Sequence, residues 1–167
     1  MSVVSSLPRF VAPTASALLL LAAGLLHAEV GVVDDTAATV RLAQPAKRIV
    51  SLAPHLTETL FAAGAGEHVV GTVDYSDYPP AASRISRVGG YSQIDLERVA
   101  ALRPDLIIAW ESGNAAAHLD RLRSLGIPIY VSQPNQIADV ASEIERLGVL
   151  AGSQPVARPA AEDFRRR

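Results

Sequence analysis

The sequence predicts an α/β fold, with a mostly parallel central sheet and helices on both of its faces. Three observations predict it. Short apolar runs recur at 49–52, 69–73, 106–110 and 127–131, each continuous rather than alternating, as in strands covered on both sides. Amphipathic stretches with helix start and stop residues lie between or after them, over 56–63, 96–102, 114–125 and 137–150. Strands that alternate with helices at this spacing pair in parallel, because a parallel neighbour is reached only through a crossover connection.

The first 28 residues stand apart. One basic residue, Arg9, precedes an uncharged run over 14–26, and His27-Ala28 leads to the first acid, Glu29. That run falls short of the roughly 20 apolar residues a spanning helix needs, and it ends on a small residue suited to signal peptidase. It reads as a secretory signal over 1–28, with no direct membrane insertion after cleavage; an uncleaved anchor is the alternative. The chain has no cysteine, which excludes a lipid-modified cysteine and a disulfide framework. The remaining residues carry fourteen basic against seventeen acidic groups. Such a mildly acidic, unclustered balance excludes nucleic acid as a partner, because that needs a basic patch to displace counterions.

Residues 29–46 read as a hairpin turning at Asp34-Asp35-Thr36. Residues 47–152 form one α/β lobe, long enough for a real core. Its first strand is broken by Ala53-Pro54-His55, and Leu56, Leu60, Phe61 and Ala63 follow at helical spacing until Gly64 and Gly66 stop them. The second strand runs into Asp74-Tyr75-Ser76-Asp77-Tyr78-Pro79-Pro80. The two prolines lack donors and hold φ near about −65°, so this segment leaves the sheet as a stiff loop, with Tyr78 packed beneath the prolines. Residues 81–94 are irregular, with Gly89-Gly90 just before Tyr91. Asp95 caps the next helix and Glu97 lies in its first turn, where the helix dipole favours an anion. After the third strand, Asn114 caps a helix whose Leu119, Leu122 and Leu125 face inward and which Gly126 closes. Pro128 is expected near an edge or at the start of the fourth strand. The last amphipathic helix closes at Gly152. Pro155 and Pro159 forbid its continuation, so any further helix starts near Ala160.

Ligands of such sheets sit beyond the carboxyl ends of the strands. That rule gathers Pro54, His55, Tyr75 and Trp110 at one rim, with Tyr91 approaching it. Familiar catalytic signatures are absent. Gly64-Ala65-Gly66 is not followed by the lysine of a phosphate loop, and Ser112-Gly113 lacks the preceding glycine of a nucleophile elbow. The histidines are scattered, so no metal site and no catalytic residue is assigned, and the chain is not read as an enzyme. A hydrolase using Asp74 and Asp77 as acid and base is a distant alternative, since no second group tunes them.

The runs Ile49-Val50-Ser51-Leu52-Ala53-Pro54 with Thr57-Glu58, Asp74-Tyr75-Ser76-Asp77-Tyr78-Pro79-Pro80, Leu96-Glu97-Arg98 and Arg103-Pro104-Asp105-Leu106-Ile107-Ile108-Ala109-Trp110 resemble the amino-terminal lobe of the periplasmic cobalamin-binding proteins of ABC importers. These belong to the helical-backbone solute-binding proteins. The resemblance implies two α/β lobes joined by a long helix, cobalamin held between them as a transported ligand, and no cofactor or reaction. It makes Tyr75 a cobalamin contact, places Pro54 and His55 in a pocket-lining loop, and makes Glu97 the surface carboxylate that docks on arginines of the inner-membrane permease. Tyr91 stands where the family usually has tryptophan, so the aromatic face is kept with less area. The expected setting is the periplasm of a Gram-negative bacterium, and the expected state a monomer. Residues 153–167 are expected to be the truncated start of the inter-lobe linker, leaving one wall of the cleft and weak binding by this chain alone. A haem or ferric-siderophore carrier of the same superfamily is the alternative.

Overall fold

The computed structural model describes residues 29–167, so the segment read as an export signal lies outside the described residues. Strands β1 (Val30–Val33) and β2 (Thr39–Leu42) pair antiparallel, with Val30 opposite Leu42 and Val33 opposite Thr39. The acidic turn between them does more than reverse the chain. Asp34 Oδ1 accepts hydrogen bonds from the Thr36 and Ala38 amides at 2.9 and 3.0 Å, and its Oδ2 accepts one from the Val131 amide at 3.2 Å. Asp35 accepts from the Gln133 amide at 2.7 Å and from Arg146 at 2.6 Å. The hairpin is thereby tied to the rest of the fold through its own turn.

The main sheet has five parallel strands: β3 (Ile49–Ser51), β4 (Val69–Thr72), β5 (Ser86–Arg87), β6 (Leu106–Trp110) and β7 (Ile129–Ser132), in the order β5-β4-β3-β6-β7. The sequence predicts four of them. The fifth, β5, has two residues, neither apolar, so no hydrophobic run announces it. Pro128 immediately precedes edge strand β7, where its missing donor costs no ladder bond.

Side chains alternate across the sheet, and this alternation makes two cores. Ile49, Leu106, Ile108 and Tyr130 face one way, onto α1 (Pro54–Ala62), α4 (Ile137–Ala151) and α5 (Gln154–Arg166), with Val40 and Leu42 of the hairpin joining them. Val50, Ile107 and Ala109 face the other way, onto Val99 of α2 (Leu96–Ala101) and Leu119 and Leu122 of α3 (Ala116–Ser124). Helices therefore cover both faces, as the continuous apolar strands require. Leu125 is an exception to the predicted inner stripe: it lies past the end of α3 and is exposed.

The carboxyl-terminal segment also departs from expectation. Gly152 takes a left-handed conformation with φ of 71° and ends α4, as predicted. Helix α5 then starts at once rather than near Ala160. Pro155 sits in its first turn, where a missing donor is harmless. Pro159 lies inside the helix but on its exposed side, while Ala157 and Ala161, four residues apart, face inward. Water can satisfy the carbonyl that Pro159 leaves unpaired, so the proline is tolerated. A methyl group added at Gly148 of α4 would lie 2.2 Å from Ala157 Cβ, which shows how closely the two helices approach.

Candidate functional site

Each strand of the sheet delivers its next residues to the same rim. After β3 the chain turns directly into α1, so Pro54 and His55 occupy the first turn of a helix rather than a loop. The fixed φ of proline suits that position, which is why the apparent break is a helix start. At the end of β6, Trp110 is half-buried at the rim. The exposed His55 ring meets its indole in a T-shaped contact, with centroids 5.2 Å apart and planes at 87°. The Tyr91 ring approaches the same indole at 6.0 Å and 49°. Three of the predicted site residues are thus one cluster of rings centred on Trp110, and Pro54 adjoins it through His55.

Tyr75 stands on the neighbouring loop after β4. It is 80% exposed and takes a left-handed φ of 65°, rare for a residue of its bulk. Arg87 of β5 holds that loop in shape. Its guanidinium donates to the Ser76 carbonyl at 3.1 Å and to the Asp77 carboxylate at 2.7 Å. Beneath the loop the Ser76 hydroxyl is buried and accepts from Thr57 at 3.3 Å. Tyr78 does not pack under the prolines: it is 66% exposed, and its peptide bond to Pro79 is cis. Asp77 is therefore held by Arg87, which fits a structural role better than the acid-base role considered for it.

Two residues that the sequence reading placed otherwise organise the rim. Asn114 does not cap α3, whose N-cap is Ala115. Its side chain is 5% exposed and turns inward. Oδ1 accepts from the Trp110 amide at 2.7 Å, and Nδ2 donates to the carbonyls of Leu52 at 2.9 Å and Tyr91 at 2.8 Å. Gly113 gives the indole its place, since a Cβ there would fall 1.8 Å from the Trp110 ring. The available signal was a polar residue following a strand end, which equally suggests a cap. Ile137, at the start of α4 beyond β7, adds an apolar side chain 80% exposed.

Partial desolvation holds the His55 imidazole below the ordinary histidine range, and no charged neighbour contributes to the shift. The ring is thus held towards its neutral form, in keeping with an aromatic surface. Glu97 projects from the exposed face of α2. Among the described residues no group of three or more His, Asp or Glu side chains could hold a metal ion.

A parallel sheet with rings gathered at the carboxyl rim of its strands is the architecture of a ligand-binding lobe, and the chain belongs to the periplasmic binding protein family, which matches residues 49–167. Within that family it is 46% identical over 123 residues to the vitamin B12-binding protein of Vibrio cholerae serotype O1, covering 74% of this chain and 45% of that protein. The vitamin B12-binding protein of Yersinia pestis is 44% identical over 123 residues, with coverage of 74% and 44%. The crystal structure of periplasmic vitamin B12-binding protein BtuF of Vibrio cholerae superposes with a TM-score of 0.71 at 46% identity, over 73% of this chain and 48% of that one. A periplasmic heme-binding protein of Pseudomonas aeruginosa superposes with a TM-score of 0.67 at 30% identity, covering 72% and 44%. The chain spans less than half the length of these relatives.

Proposed function

We propose that this chain forms one ligand-facing wall of a periplasmic protein that binds cobalamin and delivers it to the inner-membrane permease of an ABC importer. The observation that carries the reading is the ring cluster of His55, Tyr91 and Trp110 at the carboxyl rim of the sheet. Cobalamin presents a broad flat ring with a fringe of amides. Aromatic faces gain from covering the flat part, by apolar burial together with stacking, and exposed backbone groups of the rim loops serve the amides. Tyr75, on a loop stiffened by Arg87, extends this surface, and Pro54 supports His55 from the first turn of α1. Ligand, once held, is handed on by docking rather than by reaction, and Glu97 on α2 supplies a carboxylate for permease arginines.

One open wall buries one side of a ligand, so binding by this chain alone is weak, with a Kd above about 1 μM. Equilibrium dialysis against cyanocobalamin, read by visible absorbance, tests this. Retention that rises with protein and is lost on Tyr91→Ala supports the reading. A sub-micromolar Kd contradicts the weak-wall part of it, and no retention at millimolar protein contradicts the whole. The one rival that an observation favours is haem, because His55 offers an imidazole at the rim and one of the superposed structures is that of a heme-binding protein. A Soret band that shifts on adding this protein and disappears with His55→Ala favours haem.

A further inference from the structure

The ring cluster has to be assembled from three separate stretches of chain, and the connections that assemble it converge on one side chain. Leu52 lies between β3 and α1, Tyr91 follows β5, and Trp110 ends β6. Asn114 reaches a backbone group of each. The orientation of its amide follows from the partners. The Trp110 N–H can only donate and the two carbonyls can only accept, so the oxygen must face Trp110 and the nitrogen the other two. All three polar directions that the amide uses are satisfied, at 2.7 to 2.9 Å, in a position where an unpartnered amide would be costly. The adjacent Gly113 closes the turn, its N–H bonded to the Trp110 carbonyl at 3.3 Å. Its missing side chain is the space into which the indole folds.

Three simple replacements each lose part of this arrangement. Aspartate keeps the acceptor but loses both donors and buries a charge. Alanine leaves one donor and two acceptors of the backbone without the partner they have now. Serine is too short to span three strand ends. We infer that Gly113 and Asn114 are the positioning residues of the ligand rim: Asn114 locks the segments bearing His55, Tyr91 and Trp110 in register with one another, and Gly113 lets the indole lie where both other rings reach it. The inference rests on the reading of that rim as the ligand surface, but its geometric content can be tested without ligand.

Trp110 is the only tryptophan in the chain, so emission excited selectively at the indole, at wavelengths tyrosine does not absorb, reports the rim alone. A protonated imidazole in contact with an indole quenches it more strongly than a neutral one. The native full chain is therefore expected to lose Trp110 emission as pH falls below the ordinary histidine range, and His55→Ala to abolish that step. Asn114→Ala and Gly113→Ala are expected to reduce the amplitude of the step at least threefold while far-UV circular dichroism stays native, and Asn114→Asp to reduce it as well. A merely structural role would lower the melting temperature and leave the step in whatever protein remains folded. A full-sized step in folded Asn114→Ala and Gly113→Ala overturns the inference. So does the absence of a His55-dependent step in the native chain, which would remove the ring contact itself. If Asn114→Ala does not fold, Asn114→Asp, which removes the two donors, decides for Asn114, and Gly113→Ala, which adds a methyl against the indole, decides for Gly113; a full-sized step in either folded variant overturns the role of that residue. Cyanocobalamin dialysis on the same variants separates the two claims: native protein that shows the step but retains no cyanocobalamin refutes the ligand assignment and leaves the positioning role standing.

Discussion

Replacing Glu143 with glutamine should stabilise this protein at neutral pH and leave it nearly unchanged in acid. Glu143 lies on the inward face of α4 and is 1% exposed, and its Oε1 has no hydrogen-bond partner. Burial pushes its carboxyl up to about 6 from an ordinary value of 4.5. The nearby Ser132 hydroxyl offsets a little of this without closing a bond of good geometry. Asp35 adds to the rise, and Arg146 relieves little of it because its guanidinium is already paired with Asp35 at 2.6 Å. A carboxyl whose folded value is raised binds its proton more tightly in the native state than in the unfolded one. Its stabilising effect is thus complete below about 4.5 and is lost as pH rises through about 6. At about 1.4 kcal/mol per pH unit the gap corresponds to about 2 kcal/mol. Glutamine has the same shape without the charge, so Glu143→Gln should gain roughly that much over the native chain at pH 7.5 and almost nothing at pH 4.5, by the linkage of proton binding to folding. Urea unfolding at both values, followed by Trp110 emission, reads the difference. A variant that is less stable than the native chain at pH 7.5, or equally shifted at both, would refute the claim that an ionised Glu143 is a burden on the fold.

Three further outcomes follow from the same structure. Asp34→Ala removes a buried carboxylate that holds the hairpin turn and the Val131 amide, and should cost about 2–4 kcal/mol in urea unfolding. Gly148→Ala forces apart α4 and α5 where Gly148 meets Ala157, lowering stability by about 1–3 kcal/mol, whereas Gly126→Ala meets no neighbour and is strained only through its backbone. Under the proposed docking role, Glu97→Ala should leave cyanocobalamin retention unchanged and cost only about 0.5 kcal/mol of stability, but weaken association with a permease about tenfold or more, by loss of a charge proposed to pair across that interface; pull-down with the detergent-solubilised importer measures it.

Much of this fold could be read from the chain because its strands are covered on both faces. Runs such as Leu106 to Trp110 are then apolar throughout, and the helices between them announce their ends through groups with few alternatives. Asp95 accepts from the Arg98 amide at 3.0 Å as a helix cap should, and Gly152 takes the left-handed conformation that α4 needs to stop. The rim was legible in outline for a related reason. Residues following strands in a parallel sheet must lie at one edge, so His55 and Trp110 could be brought together from their places in sequence, whereas Tyr91 could be placed only in a loop approaching that rim, because the strand before it was not legible. What stayed hidden depends on partners distant in sequence. Strand β5 is a strand only because Thr72 and Gly71 lie beside it. The same side-chain type serves as a helix cap or as a staple between loops, and only the neighbours of Asn114 decide which. Pro54 and Pro159 show the limit of proline as punctuation: a first-turn site and an exposed helix face both absorb it. Leu125 and Tyr78 were assigned to packing by their apolar character, yet each lies where the chain has already left the core.

The central claim is that the rings around Trp110 form the surface on which cobalamin is held. Titrating the full chain with cyanocobalamin while following the emission of its single tryptophan, against free tryptophan amide at the same absorbance, tests it most directly. Saturable quenching beyond the absorbance control is expected, with a midpoint in the micromolar range or above that moves to higher concentration in Tyr91→Ala. Attenuation identical to that of the free amide at every concentration would contradict it.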